Sequence, residues 1–330
     1  MSAKIQKTIA RQQQKVEEGQ FYEAHQQLRV IASRYVKQSD WESAVDVLSQ
    51  GATMLMRADQ GGSGGDLCLF LMEVYNKGSL PADLRNRARL LFLLRAFPKQ
   101  EPTRKRFIAE MVSWSSKASE FPAGDPELHH VAGCLFAENG EAPEAEKHLV
   151  LGTNDSAAVL ATLEYDWYAS DEPSTAPLYA ARAILPYLLV GNVRAANKAM
   201  LLFTSKLATT PGLSVQEVGS ATSDLRVYPG LPLLNFLGLL LLAVQRGSAD
   251  LFRQLKSQYA AHIKEAGTWD DALAQIGEMY FGIKIPSQSN PLLDMMGSFL
   301  MGGGGGGGGG GQRGQPAAKA VQPAPAPTLD

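Results

Sequence analysis

Apolar residues recur at every third or fourth position over residues 3–18, 21–37, 40–58, 66–78, 81–96, 103–119, 126–138, 141–152, 156–169, 174–190 and 192–208, and again over 231–246, 248–263 and 268–281. That is the period of an α-helix with one buried face. Gly, Pro, Asn and Asp mark short connections between these stretches, so consecutive helices are expected to lie antiparallel. The period changes once. Residues 213–218 and 224–228 alternate apolar with polar types around the turn-forming 219–223, which predicts a β-hairpin over about 213–228. An isolated hairpin is marginal in water, so this one must pack on helices or be completed by a partner through Val215, Val218, Leu225, Val227 and Tyr228.

Two of the helix starts carry the same signature. Gly19-Gln20-Phe21-Tyr22-Glu23-Ala24 and Ser39-Asp40-Trp41-Glu42-Ser43-Ala44 each place a turn residue, an aromatic and then a small Ala that lets a neighbouring helix approach. Weaker versions begin at Gly140, Gly191 and Gly247. The pattern predicts an all-α solenoid of divergent, tetratricopeptide-like helical hairpins with one β-hairpin insertion, without a strict 34-residue period. Stacked hairpins of this kind present extended binding surfaces. The folded part is expected to end near residue 301, after the Met-rich apolar run Leu292–Met301. The glycine run 302–311 and the Ala/Pro-rich 312–330 bury too little apolar surface to offset chain entropy and are expected to be disordered.

Composition sets bounds. With 45% hydrophobic residues in 330, the chain can bury a large core, and its net charge of −2 argues against a whole-surface affinity for nucleic acid or anionic lipid. The N-terminus lacks the apolar core of a secretory signal, which leads to an expected cytosolic location. Leu231–Val244 is strongly apolar but only 14 residues long and contains Pro232 and Asn235, so a buried solenoid helix is expected rather than a membrane span. Cys68 and Cys134 are far apart in apolar patterns and read as buried free thiols.

The charge is uneven. Lys4, Lys7, Arg11 and Lys15 fall on one face of the first helix, and residues 1–37 carry seven basic against three acidic side chains, a local +4. Such a stripe is either a solvated face or a dock for an acidic protein surface. Gln60-Gly61-Gly62-Ser63-Gly64-Gly65-Asp66 superficially resembles a phosphate loop but has Asp66 where Lys and Ser/Thr should follow, so nucleotide binding is not expected; Asp66 is read either as a helix N-cap or as an exposed carboxylate facing a basic partner. The five histidines make no ligand set, and no nucleophile, metal or paired-carboxylate motif appears, so no catalytic residue, cofactor or metal is assigned.

Residues 19–26, Leu28-Arg29, Arg34-Tyr35-Val36, 49–52, 60–67 and Glu73-Val74-Tyr75, with Trp114-Ser115, 124–129, 144–146, 151–153 and 294–300, resemble the Golgi-to-ER traffic protein 4 family. The resemblance spans about residues 1–301 and implies a right-handed helical solenoid acting as a non-enzymatic adaptor in delivery of tail-anchored proteins to the endoplasmic reticulum. It implies that an N-terminal half (1–150) binds the homodimeric targeting ATPase and biases its nucleotide state. A C-terminal half (151–301) would bind a partner with a ubiquitin-like domain, which recruits a tetratricopeptide co-chaperone. On this resemblance His25, Arg29 and Arg34, with Lys15 and Arg11 of the basic stripe, are expected to dock the ATPase, and Asp66 to regulate it. Tyr22 is expected to pack rather than to contact, and the 213–228 hairpin to grip the ubiquitin-like partner. The hairpin matches the family poorly, and the glycine run and tail depart from it. A general solenoid scaffold of another large assembly is the alternative.

Overall fold

The computed structural model describes residues 3–210, 213–220 and 223–284, with the backbone alone for 217–220 and 223–225. The apolar run 292–301, the glycine run and the tail lie outside the described residues. Fifteen α-helices and one antiparallel hairpin make up this part, an α-solenoid as expected. The first four helices are α1 (Ala3–Glu17), α2 (Phe21–Lys37), α3 (Trp41–Arg57) and α4 (Gly61–Lys77). They are followed by α5 (Leu84–Ala96), α6 (Thr103–Ala118), α7 (Pro126–Glu138), α8 (Ala142–Val150), α9 (Ser156–Tyr168), α10 (Ala176–Leu189) and α11 (Val193–Leu207). Strands β1 (Gln216–Ser220) and β2 (Ser223–Val227) precede α12 (Pro232–Arg246), α13 (Ala249–Gln258), α14 (Ala260–Ala266) and α15 (Asp270–Phe281).

One turn recurs throughout. Gly19, Ser39, Asp59, Ser79, Gly140, Gly191 and Gly247 all take a left-handed conformation, with φ from 48° to 78°. After each, the next N–H reaches back to the carbonyl five residues earlier, as in Gln20 to Lys15 at 2.8 Å, Asp40 to Tyr35 at 3.0 Å and Gln60 to Leu55 at 2.8 Å. This closes orphan carbonyls of the helix end and reverses the chain within three residues. The first four of these positions are evenly spaced at intervals of 20 residues, so a regular period exists where the sequence suggested none. Gly, Ser and Asp sharing one position conceal it.

Packing is continuous. A single core of buried apolar side chains runs from Ile5 to Ile276, with no break at residue 150. Two starts depart from expectation. α4 begins at Gly61 rather than Asp66, because its glycines let it lie against neighbours: a Cβ on Gly64 would sit 2.6 Å from Met56 Cγ and 3.1 Å from the Ala52 carbonyl. The stretch expected as one helix over 248–263 is two, broken at Tyr259. The hairpin is present with a tighter register than expected, pairing Gln216 with Val227 through Ser220 with Ser223. α12 is a buried helix, and no helix among the described residues is long and apolar enough to cross a membrane. Cys68 is buried, and burial pushes its thiol up. Cys134 is only part-buried, beside His130 at 3.8 Å, so the expectation of two buried thiols holds for one.

Polar groups stitch the middle of the solenoid. Asp125 caps α7 by accepting from Glu127 and Leu128 N–H, and also takes an ion pair from Arg87 at 2.5 Å. His129 Nε2–H donates to the Ala123 carbonyl at 3.0 Å, which leaves its Nδ1 to accept from His148 Nδ1–H at 3.0 Å. Both rings are held neutral. Burial lowers His129, and burial with the nearby His129 and Lys147 lowers His148 to about 3.

Two outcomes follow from these contacts. Gly64→Val should destabilise the fold by about 1–3 kcal/mol, because the backbone of α3 cannot recede, and an unchanged urea midpoint would refute that close approach. The histidines titrate below their unfolded value, about 6.5. The unfolded chain therefore takes up protons first, so stability is full above about pH 6.5 and declines as pH falls toward 3. Urea midpoints compared at pH 7.5 and 5 should fall in the natural chain and fall less in His148→Gln; equal falls would acquit the pair.

Candidate partner-docking site on α2 and α4

Helix α2 buries Ala24, Leu28 and Ala32, one turn apart. His25 and Arg29 follow on the flank turned to α4, which lies beside α2 one hairpin later. Because α4 starts at Gly61, Asp66 falls in its second turn, and the N-cap reading is corrected: its carboxylate faces α2. Asp66 Oδ2 accepts from His25 Nε2 at 2.8 Å and from Arg29 Nη1. The His25 ring is completed by Gln26 at 3.3 Å on Nδ1, and the Arg29 guanidinium lies over the Phe70 ring, 5.2 Å from its centroid. Partial burial alone would raise the Asp66 carboxyl, but the hydrogen bonds from His25 and Arg29 and the guanidinium charge outweigh it and hold it below the usual range.

Asp66 and Arg29 each stay about two-fifths exposed, at 43% and 40%. A pair so open to water contributes no more than about 1 kcal/mol to stability, and it remains available to a partner. Tyr22, expected to pack, is instead 72% exposed on the same flank, one turn before His25. Phe70 went unnoticed in the sequence, although it stands one turn beyond Asp66. Arg34 is exposed but lies roughly 140° round α2 from Arg29, at about 100° per residue, and joins no ion pair among the described residues. Lys4, Lys7 and Arg11 are exposed on α1 and Lys15 is half-buried there; none of them pairs with Asp66.

A second concavity of about 390 Å³ lies in the C-terminal half between α11, β2 and α12, lined by Met200, Leu201, Val227, Tyr228, Leu234 and Gly238 among others. Leu201 is 61% exposed at its edge. Tyr228 is buried: its N–H donates to Asn235 Oδ1 at 2.8 Å and its carbonyl accepts from Asn235 Nδ2 at 2.8 Å, so it anchors the hairpin to α12. Val215 packs against the core, and Val218 and Leu225 are register partners whose side chains fall outside the described residues. The sequence missed Met200, Leu201 and Leu234, since three elements meet there only in three dimensions. Among the described residues no group of three or more His, Cys, Asp or Glu could hold a metal ion.

The family model for Golgi to ER traffic protein 4 matches residues 38–300. The chain belongs to that family. It is 57% identical to the Aspergillus fumigatus Golgi to ER traffic protein 4 over 99% of both chains. Identity to the Schizosaccharomyces pombe protein of that name is 34%, over 85% of this chain and 91% of the relative. The human homolog is 27% identical over 90% of this chain and 86% of its own. The crystal structure of C. therm. Get4 superposes with a TM-score of 0.83 at 56% identity, covering 91% of this chain and 96% of that one. With the family known, the α2–α4 cluster can be tested by titration. A depressed carboxyl contributes stability above its ordinary value, and that contribution is lost as pH falls through the folded one. In Arg29→Ala the Asp66 carboxyl, followed by carbon-13 NMR, should titrate at higher pH than in the natural chain; an unmoved curve would remove Arg29 as the cause.

Proposed function

We propose that the chain is a non-enzymatic cytosolic adaptor that bridges the homodimeric tail-anchored-protein targeting ATPase to a ubiquitin-like-domain partner and its co-chaperone. The observation that carries this reading is the convergence of His25 and Arg29 on Asp66 at a half-exposed ridge, in a chain of this family. On this reading Arg29, His25 and Arg34, with Arg11 and Lys15, meet acidic surface on the ATPase, where complementary charge accelerates encounter and fixes register. The N-terminal half, 1–150, supplies that face. The C-terminal half, 151–301, holds the ubiquitin-like partner, and the α11–β2–α12 concavity is its apolar seat.

Docking and regulation are not separate patches on this ridge, because Asp66 touches two of the docking residues. An adaptor biases the ATPase only by its difference in affinity for the nucleotide states. A partner group that engages Asp66 in one state therefore also frees or holds Arg29. The bias and the grip change together.

The test co-expresses the chain with the N-terminal segment of the ubiquitin-like partner and measures ATPase binding with ATP, with ADP and without nucleotide. Charge reversal at Arg29 and Arg34 should slow association about tenfold or more at low salt, and the loss should shrink at high salt. Asp66→Asn keeps an acceptor but removes the charge, so it should blunt the nucleotide preference more than the affinity. Leu201→Asp should release the ubiquitin-like partner while leaving ATPase binding intact. No ATPase binding in any state would leave the general scaffold as the better reading.

A further inference from the structure

The odd-numbered helices carry a groove that the α2–α4 ridge does not use. α3 forms its floor through Gln50, Thr53, Met54 and Arg57, while Ile9, Gln13 and Val16 of α1 and Phe92 of α5 form its walls, around a volume of about 410 Å³. Phe92 is 54% exposed there, a large apolar surface to leave in water.

The seam between α3 and α5 explains why it opens. Glu42 pairs with Arg85 at 3.0 Å, and one turn on Asp46 pairs with Arg89 at 3.3 Å. The next turn brings Gln50 toward Phe92, where the ladder of ion pairs stops and the groove begins. Beyond it comes Arg57 on α3, exposed and in no ion pair among the described residues. Arg57 is the only charged side chain in the lining, and no carboxylate lines it. A trough that combines the apolar side chains of Ile9, Val16, Met54 and Phe92 with one lining cation is complementary to a peptide apolar on one face and acidic beside it.

We propose that the α1–α3–α5 groove is a second docking surface in the N-terminal half, and that its occupant is an acidic amphipathic helix of a partner protein. Apolar side chains of that helix seat on Ile9, Val16, Met54 and Phe92, and its carboxylates meet Arg57. The surface is independent of the ATPase reading, since none of its residues belongs to the α2–α4 cluster.

Fluorescence anisotropy of the full chain tests it with a labelled helical peptide of about five turns, carrying Leu and Phe at i, i+4 and i+7 and Glu on both flanks. Two control peptides replace Glu by Lys or the apolar row by Ser. The acidic apolar peptide should bind, and both controls should bind at least about tenfold more weakly. Phe92→Ser and Arg57→Glu should each weaken the acidic peptide about tenfold or more, and Arg57→Glu should shift preference toward the Lys peptide. Both residues are exposed, so unchanged melting temperatures certify the fold, and Arg29→Glu should leave the peptide affinity as it was. Absence of binding, equal binding of the Lys peptide, or indifference to both substitutions overturns the proposal. Self-association abolished by Phe92→Ser would give the groove to a second copy of the chain instead.

Discussion

Everything on the N-terminal surface depends on a three-residue left-handed turn repeated every 20 residues. It fixes each helix antiparallel to the last and brings every second helix side by side at a spacing near 40 residues along the chain. The ion pairs obey that spacing: His25 and Arg29 reach Asp66 across 41 and 37 residues, Glu42 reaches Arg85 across 43, and Arg87 reaches Asp125 across 38. Even-numbered helices therefore share one surface and odd-numbered helices another. The ridge and the groove are two readings of the same period, on opposite sides of it.

The chemistry of the ridge suits recognition rather than stability. A half-exposed carboxylate with two donors holds Arg29 and His25 in one orientation at small energetic cost, so less side-chain freedom is lost when a partner arrives. Phe70 adds a cation–π contact beneath the guanidinium. A buried pair in the same place would be stronger and less available.

Periodicity was enough to find most helices and the hairpin, and the 19–26 and 60–67 motifs led to the family and to both members of the His25–Asp66 contact. The start of α4 was hidden because five residues, four of them glycines, read as a loop, whereas here the missing side chains are what allow α4 to touch α3 and α6. Propensity was overruled by packing. The 20-residue period was hidden because the αL position tolerates Gly, Asp or Ser when the surrounding hydrogen bonds determine it. The hairpin was legible, but its role was only half so: Tyr228, counted among partner contacts, is an internal anchor. Both grooves were illegible, since each draws on three elements distant in sequence.

Between the two ends, Asp125, His129, His148, Ser156 and Glu164 are buried polar groups. Glu164 is fully buried in α9, and burial with the neighbouring Glu146 pushes its carboxyl well above the usual range, while Arg182 of α10 sits 3.3 Å from it and 2.5 Å from Glu146. The His129–His148 pair lies one hairpin earlier. The hydrogen-bonded histidines favour one arrangement over near alternatives, because any slip would strand a donor away from water, whereas neither buried Glu164 oxygen has a hydrogen-bond partner among the described residues. They sit where α7–α10 join the N-terminal helices to the hairpin half, and the apolar core runs through them without interruption. If the chain bridges two partners as proposed, these central helices set how the two proposed docking faces stand to one another.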